Sequence, residues 1–323
     1  MELKKIIKEF GIVGEATLLG AGLINDTYRV GDFVLQRINS KVFPYPVLVM
    51  ENFAKVSHHL EKKLKDPRKF LKLKPTSNGF DYFLDNESCW RLVSYISGSV
   101  SFMHSPSVDH CFETAQAFGG FQKNLLDLEG IQPTKRQKFD ILARLNDFKS
   151  MKINPEIKWA FDNYLEISLD YPQRVIHHDT KISNVLFDQK SGKGLCVIDL
   201  DTVAVAPVLW DFGDMVRSMS PTASEEEDSK LVDINLEYFR AIVSGFLTGA
   251  DFISEKERNS LLDGALMITY TLALRFLSDH LNGDIYFKVK YPGHNLARAK
   301  NQMNLFEVFK KNQKELRHII KVG

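Results

Sequence analysis

The sequence has little cysteine, almost no net charge and no long apolar run. Its three cysteines, Cys89, Cys111 and Cys196, are widely spaced and lie in apolar stretches. This spacing predicts reduced core residues rather than a disulfide framework or a zinc site, and a cytoplasmic location. Lys and Arg total 42 against 41 Asp and Glu, so the formal charge is +1. We therefore expect no global field that would hold a nucleic acid or an anionic membrane.

Segments that would carry the chain into or across a membrane are also lacking. No run approaches about 18 consecutive apolar residues, so no transmembrane span is expected. The opening stretch MELKKIIKEFGIV has an amphipathic helix pattern without the apolar core and cleavage site of a secretion signal. What is present is an ordinary globular composition, with 44% hydrophobic and 26% charged residues over 323 residues.

Two different patterns divide the chain. Residues 1–96 alternate apolar and polar positions between glycine and Asp-Asn turns, which predicts a five-stranded antiparallel sheet with one helix after the third strand. After the Ser-Gly-Ser break at 97–99, helical periods dominate residues 97–323, including one helix predicted over 254–281. The expected fold class is α+β and bilobal, a small β-sheet lobe and a larger mainly helical lobe with a cleft between them.

Charge is concentrated in one otherwise apolar stretch, VIHHDTKISNVLFDQKSGKGLCVIDLDTV, residues 175–203. Phosphoryl transfer from a nucleotide needs a carboxylate base, oxygen ligands for a metal and a cation near the transferred group. Asp179 can serve as the base and Lys181 as the cation. Asn184 and Asp199 can hold the metal, and oxygen ligands without a His or Cys cluster favour Mg²⁺ over zinc.

The motif HxDxKxxN at residues 177–184, followed by Ile-Asp at 198–199, resembles the catalytic and metal motifs of the aminoglycoside phosphotransferase and choline kinase superfamily. Six segments in the same order resemble bacterial N-acetylhexosamine 1-kinases: GLINDTY, VLQRIN, HHDTKISNVLFD, VIDLDTV, DFGDMVRS and RFLSDHLNGDIYFKV. The resemblance implies a protein-kinase-like bilobal fold, with a nucleotide-binding lobe over 1–96 and a catalytic and substrate-binding lobe over 97–323. It also implies ATP and Mg²⁺ as cofactors, phosphorylation of the anomeric hydroxyl of N-acetylglucosamine or N-acetylgalactosamine, and a loop-bracing role for His177.

The nucleotide site implied by this resemblance begins in the first hairpin. Gly20 and Gly22 let backbone N–H groups approach phosphates, and Asn25 can add a side-chain donor, although any hairpin turn could carry such glycines. The kinase pattern also expects a lysine on the third strand, paired with a glutamate on the next helix. This strand offers Gln36 and Arg37 instead.

Alternation along the third strand turns only one of its two polar residues towards the cleft. We favour Arg37, paired with Glu51 on the following helix, because a guanidinium can bind either a phosphate or a carboxylate. In the alternative, Glu51 is an ordinary surface residue of its helix. The hinge at residues 94–98 is expected to meet the adenine edge through backbone groups.

The acceptor pocket should lie beside the catalytic loop in the larger lobe. Arg275 and Asp279 are four residues apart on one helix face, so on spacing alone they could bind sugar hydroxyls or simply pair with each other, and the resemblance to sugar kinases favours substrate binding. Trp210 could stack on a sugar ring or belong to the core. The resemblance implies that Asp211 braces the catalytic loop, and the role of Asp201 is open.

Two other functions fit parts of the sequence. A kinase for an amino alcohol or an aminoglycoside would need an acidic or aromatic pocket, to which residues 225–228 could contribute, although the tract 221–230 is most simply a solvated loop. A non-catalytic nucleotide-binding scaffold would need no intact catalytic set. The expected partner is a small-molecule sugar, with no nucleic acid and no membrane, and the chain is expected to be a monomer or a weak homodimer.

Overall fold

The computed structural model describes residues 2–19, 25–85, 88–133, 141–165 and 170–323, and it confirms the predicted α+β, protein-kinase-like fold class. The strands are β1 (Thr17–Leu18), β2 (Asp26–Val30), β3 (Phe33–Ile38), β4 (Phe83–Asp85), β5 (Ser88–Ser94), β6 (Ser99–Val100), β7 (Arg174–Ile176), β8 (Val185–Asp188), β9 (Gly194–Val197) and β10 (Ala204–Ala206). The α-helices are α1 (Glu2–Glu9), α2 (Pro46–Lys63), α3 (Val108–Asn124), α4 (Ile141–Lys149), α5 (Pro155–Asp162), α6 (Leu209–Met219), α7 (Leu236–Gly249), α8 (Glu255–Asn259), α9 (Leu261–Leu281) and α10 (His294–Val322).

The first five strands form one antiparallel sheet in the order β1-β2-β3-β5-β4, with α2 inserted after β3 as predicted. Gly31, at φ +58°, makes the tight turn between β2 and β3, a conformation that glycine adopts without strain. One face of the sheet packs on α1, where Ile6 and Phe10 contact Leu35 and Leu92 in a separate apolar cluster. The opposite face packs on α2 and joins the main core.

A second, three-stranded sheet, β6-β8-β9, and the antiparallel β7-β10 pair belong to the larger region, with β7 to β10 following α5 and preceding α6 in the chain. The hairpin of β8 and β9 turns at Gly192, where φ is +70°. It brings residue 185 opposite residue 197, so the segments that precede β8 and follow β9 meet at one end of the hairpin. This end carries the predicted catalytic and metal residues.

Helix α9 lies at the centre of the helical region. By length and composition it could span a membrane, but 89% of its most apolar window is buried within the protein, as expected of a core helix. The single helix predicted over 254–281 is two helices, α8 and α9, separated at Ser260. The break follows a helix of only five residues that begins at Ser254 with a reciprocal capping box to Glu257.

Helices α3 and α7 cross at unusually close range because glycines line their contact. A Cβ atom added at Gly249 would lie 2.4 Å from the Gln116 carbonyl oxygen, and one added at Gly245 would lie 2.2 Å from that of Phe112. From α3, Gly119 faces the same crossing, with 2.8 Å between its added Cβ and the backbone nitrogen of Ala250. Side chains larger than hydrogen would force these backbones apart.

The neighbouring glycines Gly119 and Gly120 on α3 should therefore respond oppositely to alanine. Gly119→Ala is expected to destabilise the protein by about 2–3 kcal/mol, since its Cβ would meet backbone atoms that cannot rotate away. An added Cβ at Gly120 has nothing within 4 Å, so Gly120→Ala should be stabilising by about 0.5–1 kcal/mol through helix propensity. Urea unfolding of the two variants measures both values, and equal effects would contradict the crossing.

The acidic tract between α6 and α7 binds the first turns of α10 and the segment just before that helix. Glu226 is bonded by Lys290 at 2.6 Å and by Arg298, and lies 3.2 Å from the His294 ring. Partial burial would raise the pKa of Glu226, but the hydrogen bonds from Lys290 and Arg298 outweigh it and lower this pKa to about 2. The tract is thus a loop, as predicted, but it is anchored at Glu226.

Protonation of Glu226 should therefore cost stability in acid. A carboxyl whose folded-state pKa is depressed contributes stability above its ordinary pKa of 4.5, and loses it as the pH falls towards about 2. Allowing for its partial exposure, we expect Glu226→Gln to lower the free energy of unfolding by about 1–2 kcal/mol at pH 7. The difference should disappear between these two pH values in urea titrations, and a difference that persists below about pH 2 would contradict the anchoring role of the carboxylate.

Candidate active site

The catalytic loop leaves β7 at His177, and this residue is a brace. The buried ring lies between residues of the core, with Nε2 donating to the Ile198 carbonyl oxygen at 2.9 Å. Its Nδ1 accepts the backbone N–H of Asp179 at 3.2 Å, so the two partners fix the tautomer. His177 thereby ties the catalytic loop to the end of β9, as its expected bracing role requires.

Helix α6 holds the same loop through two aspartates. Asp211 is buried and accepts the backbone N–H groups of His177 at 2.8 Å and His178 at 2.7 Å. Burial raises the pKa of Asp211, against the opposing effect of His177 and these N–H donors. Asp214 accepts the backbone N–H of Thr180 at 2.9 Å. Three residues of the loop, His177, His178 and Thr180, are therefore fixed to one helix, and this geometry agrees with the expected role of Asp211.

The structure brings Asp179, Lys181 and Asn184 together. The Lys181 ammonium lies 3.1 Å from the Asp179 carboxylate, and the Asn184 amide donates to the same carboxylate at 3.0 Å. Burial would lower the pKa of Lys181, but the charges of Asp179 and Asp199 outweigh it and raise the pKa. The protonated, positively charged form of Lys181 is therefore favoured beside the carboxylate that is predicted to be the base.

Asp199 follows β9 and meets the catalytic loop at the open end of the hairpin. The backbone N–H of Ile198 donates to the Asn184 carbonyl oxygen at 2.9 Å, which places the two predicted metal ligands on adjacent segments. Asp199 has φ +61° and His178 has φ +67°, a left-handed conformation that non-glycine residues adopt only where their surroundings hold them. Burial, Asp201 and Asp179 together raise the pKa of Asp199.

This excess of carboxylate charge fits a hard divalent cation. Asp199 supplies a desolvated carboxylate and Asn184 an amide oxygen, both of which suit Mg²⁺. Among the described residues no group of three or more His, Cys, Asp or Glu side chains could hold a metal by itself. Mg²⁺ is commonly bound through one or two carboxylates together with substrate phosphates, so this donor set fits a metal that arrives with a nucleotide.

A comparison with protein families covers the region that carries this site. A model of the phosphotransferase enzyme family matches residues 15–241, which is more than half of the chain. The chain belongs to this phosphotransferase family. The match covers both the sheet and the catalytic loop, so the site described above lies within it.

Solved structures show the same fold over nearly the whole phosphotransferase chain. A microcompartment-associated aminopropanol kinase matches with a TM-score of 0.66 and 12% identity, covering 98% of each chain. A choline/ethanolamine kinase family protein from Mesorhizobium loti matches with a TM-score of 0.59 and 16% identity over 100% of each chain. An amicoumacin kinase, solved with AMP-PNP and Ca²⁺, matches at 0.60 and 14%, covering 94% of this chain and 93% of that one.

The nucleotide side of the phosphotransferase differs from the prediction. Gly20 and Gly22 lie outside the described residues. Asn25, which follows them, is buried, and its amide donates to the Asp201 carboxylate at 2.6 Å while its oxygen accepts the Asn39 N–H at 3.0 Å. In this structure Asn25 links the first hairpin to the segment after Asp199, rather than pointing its amide at a phosphate.

The predicted pair of Arg37 and Glu51 is wrong. Arg37 lies on the α1 face of the sheet, where its Nε donates to Asp26 at 2.8 Å and its guanidinium lies over Trp90. Glu51 is exposed on α2, which covers the opposite face. Strand alternation separates the two residues, and the packing of α1 on the odd-numbered residues of β3 decides which side Arg37 occupies.

Gln36 is the polar residue of β3 on the face that packs on α2. Its side-chain oxygen accepts the Nε of Arg91 at 2.8 Å from the opposite position on β5. Arg91 is only 1% exposed and forms a buried ion pair with Asp201. A buried cation on the α2 face of the sheet is thus supplied by β5, and the sequence analysis did not consider it. An arginine between apolar residues in SCWRLVS was the available signal.

The acceptor side also needs two corrections. Trp210 is 5% exposed within the main core, so it is not placed to stack on a sugar. Asp279 accepts the backbone N–H groups of Tyr286 at 2.8 Å and Phe287 at 2.9 Å. It therefore braces the loop that follows α9 rather than presenting its carboxylate to a hydroxyl. Its four-residue spacing from Arg275 specified a shared helix face, but not the loop that folds back onto it. Arg275 stacks on the same two aromatic rings.

Arg217 is a further polar residue near the catalytic loop that the sequence reasoning missed. Its guanidinium donates to Asp214 at 3.0 and 2.9 Å and lies 3.5 Å from Glu225. Burial would lower the pKa of Arg217, but Asp214, Glu225 and, more weakly, Asp179 raise it. The spacing of three residues from Asp214 on a helix that follows the catalytic strands was the signal for it.

Proposed function

We propose that this phosphotransferase is an ATP- and Mg²⁺-dependent kinase of a small neutral sugar, and that it phosphorylates the anomeric hydroxyl of N-acetylglucosamine or N-acetylgalactosamine. The observation that carries the kinase assignment is the convergence of Asp179, Lys181, Asn184 and Asp199 at one end of the β8-β9 hairpin. An intact set of this kind argues against a non-catalytic scaffold, which would need none of these groups. The amicoumacin kinase that shares the fold was solved with an ATP analogue and a divalent cation.

In the proposed reaction Asp179 accepts a hydrogen bond from the anomeric hydroxyl and takes its proton as the oxygen attacks the γ-phosphorus. A new O–P bond forms, the bond between the γ-phosphorus and the ADP oxygen breaks, and ADP leaves. Lys181 stabilises the charge on the transferred phosphoryl group. Asn184 and Asp199 would hold Mg²⁺, which neutralises charge on the phosphates when it is bound.

Charge favours a neutral acceptor over a cationic one. The acidic tract that could have received an amino alcohol or an aminoglycoside is engaged elsewhere: Glu225 lies beside Arg217, and Glu226 is bonded to Lys290 and Arg298. The sequence segments that resemble N-acetylhexosamine 1-kinases support the sugar assignment. The fold shared with an aminopropanol kinase supports the second candidate, a kinase of an amino alcohol.

A panel of acceptors separates these candidates. ATP consumption would be measured with N-acetylglucosamine, N-acetylgalactosamine, choline, aminopropanol and kanamycin, and ³¹P NMR would assign the phosphorylated position. We expect turnover of at least one acetylhexosamine at its anomeric oxygen, and none with Asp179→Asn. Turnover of the cationic acceptors alone would replace the sugar assignment with the second candidate, and turnover of no hydroxyl compound in wider panels would favour a scaffold.

A further inference from the structure

Arg91 and Asp201 form a buried contact between β5 and the segment that follows Asp199. The Arg91 guanidinium stacks on the Phe53 ring of α2, with 4.1 Å to the ring centroid, and one of its NH groups is bonded to the Asp201 carboxylate. The exposed fractions are 1% for the arginine side chain and 0% for the aspartate side chain. A buried ion pair is not a reason for stability in itself, since desolvation offsets most of its attraction.

Asp201 receives a second donor from the nucleotide side. Its other carboxylate oxygen accepts the Asn25 amide at 2.6 Å. Asn25 directly follows residues 20–24, the segment that carries the predicted phosphate-binding glycines. One carboxylate two residues beyond Asp199 is therefore held by the start of β2 and by the middle of β5.

The short turn that contains Asp201 is also held by the catalytic loop. Residues Leu200–Thr202 form a 3-10 turn, and the Thr202 hydroxyl donates to the His177 carbonyl oxygen at 2.5 Å. Asp199, which immediately precedes the turn, has the left-handed φ of +61°. An aspartate can adopt this conformation at modest cost, and the fixed turn that follows Asp199 helps to hold it there.

We propose that Arg91 is a positioning residue that acts through Asp201 to hold Asp199 in the orientation that binds the metal and nucleotide. It is a buried cation on the α2 face of the sheet, directly opposite Gln36, the uncharged residue of β3 on that face. Arg91 does not touch the reacting atoms. This inference rests on the proposed use of a metal–nucleotide complex, but not on the identity of the acceptor.

Calorimetric titration tests the proposal without any acceptor. Wild type, Asp201→Asn and Arg91→Met would each be titrated with AMP-PNP in Mg²⁺ and in EDTA, and their melting temperatures would be recorded. In Mg²⁺ we expect both variants to bind about 10–100-fold more weakly, the usual effect of losing a residue that orients a metal ligand. In EDTA their affinities should change less than about threefold, because the orientation of Asp199 matters chiefly to the metal.

Glu257→Gln provides a matched control for a buried charge. Glu257 on α8 is paired with Arg174, and its side chain, like that of Asp201, has 0% exposure. The control should lose melting temperature as Asp201→Asn does, yet keep wild-type affinity for AMP-PNP in Mg²⁺. Equal losses of affinity in the control and in Asp201→Asn would overturn the proposal in favour of general destabilisation.

The double variant Arg91→Met/Asp201→Asn removes both charges, so no unpaired buried charge is left. We expect it to recover melting temperature relative to Arg91→Met but not Mg²⁺-dependent affinity. Recovery of both would overturn a positioning role. A wild type that binds AMP-PNP equally in Mg²⁺ and EDTA would overturn this inference and the proposed metal dependence together, whereas wild-type Mg²⁺ dependence that the variants retain would overturn this inference alone.

Discussion

Asp179→Asn is expected to lower kcat by about 10²–10⁴-fold while leaving nucleotide binding in place, because a carboxylate that accepts a proton in the transition state contributes about this factor. Asparagine has nearly the same shape and can still accept the hydrogen bond that the Asn184 amide donates at 3.0 Å. The Lys181 ammonium would lose its partner at 3.1 Å but remain charged. The folded structure should therefore change little.

The measurement is the initial rate of ADP formation with the acceptor that the panel identifies, together with the affinity for AMP-PNP. Asp188→Asn is a suitable control, because Asp188 ends strand β8 of the same hairpin and its carboxylate binds the turn and Arg68. It should keep a kcat within about threefold of wild type. A variant at Asp179 with near wild-type turnover would remove this residue from the role of base.

Asp199→Asn is expected to abolish Mg²⁺-dependent turnover and, without metal, to make the protein more stable. A bound metal contributes several kcal/mol of charge stabilisation, so kcat/KM should fall by at least about 10³-fold. Burial, Asp201 and Asp179 raise the pKa of Asp199, which means that the fold holds the protonated form more tightly than the unfolded chain does. At neutral pH the ionised carboxylate therefore costs stability, and the neutral amide removes that cost.

Thermal unfolding checks the sign of this second effect. In EDTA at pH 7 the melting temperature of Asp199→Asn should rise by about 1–2 °C, the shift that about 1 kcal/mol causes in a chain of this size. The gain should vanish as the pH falls below the ordinary Asp value of 3.8, where both states of the wild type are protonated. Added Mg²⁺ and ATP should stabilise wild type but not the variant. A lower melting temperature in EDTA would show that the carboxylate is structural.

The catalytic set could be found in the sequence because its members are close along the chain. Asp179, Lys181 and Asn184 span six residues, and one tight hairpin returns the chain to Asp199. Local geometry of this kind follows from residue spacing and turn chemistry. The five-stranded sheet with its inserted helix could be predicted for the same reason, since alternation and turns are local signals.

Residues whose role depends on what lies against them were predicted less well. Trp210 and Asp279 were expected at the acceptor, but the core encloses one and a returning loop occupies the other. Arg37 sits on an alternating strand whose two faces look alike in sequence until α1 covers one of them. The pattern of a helix or strand shows which residues share a face. Only the packed structure shows which part of the protein lies against that face.

By itself the sequence determined the fold class, the β8-β9 hairpin and the grouping of Asp179, Lys181, Asn184 and Asp199. The tertiary structure alone decided that Arg91 is buried between the sheet and α2 and that its partner is Asp201, 110 residues further along the chain. Strand and helix periods encode interactions over a few residues, whereas this pair forms only because the packing of α2 on the sheet and the Leu200–Thr202 turn exclude water around it.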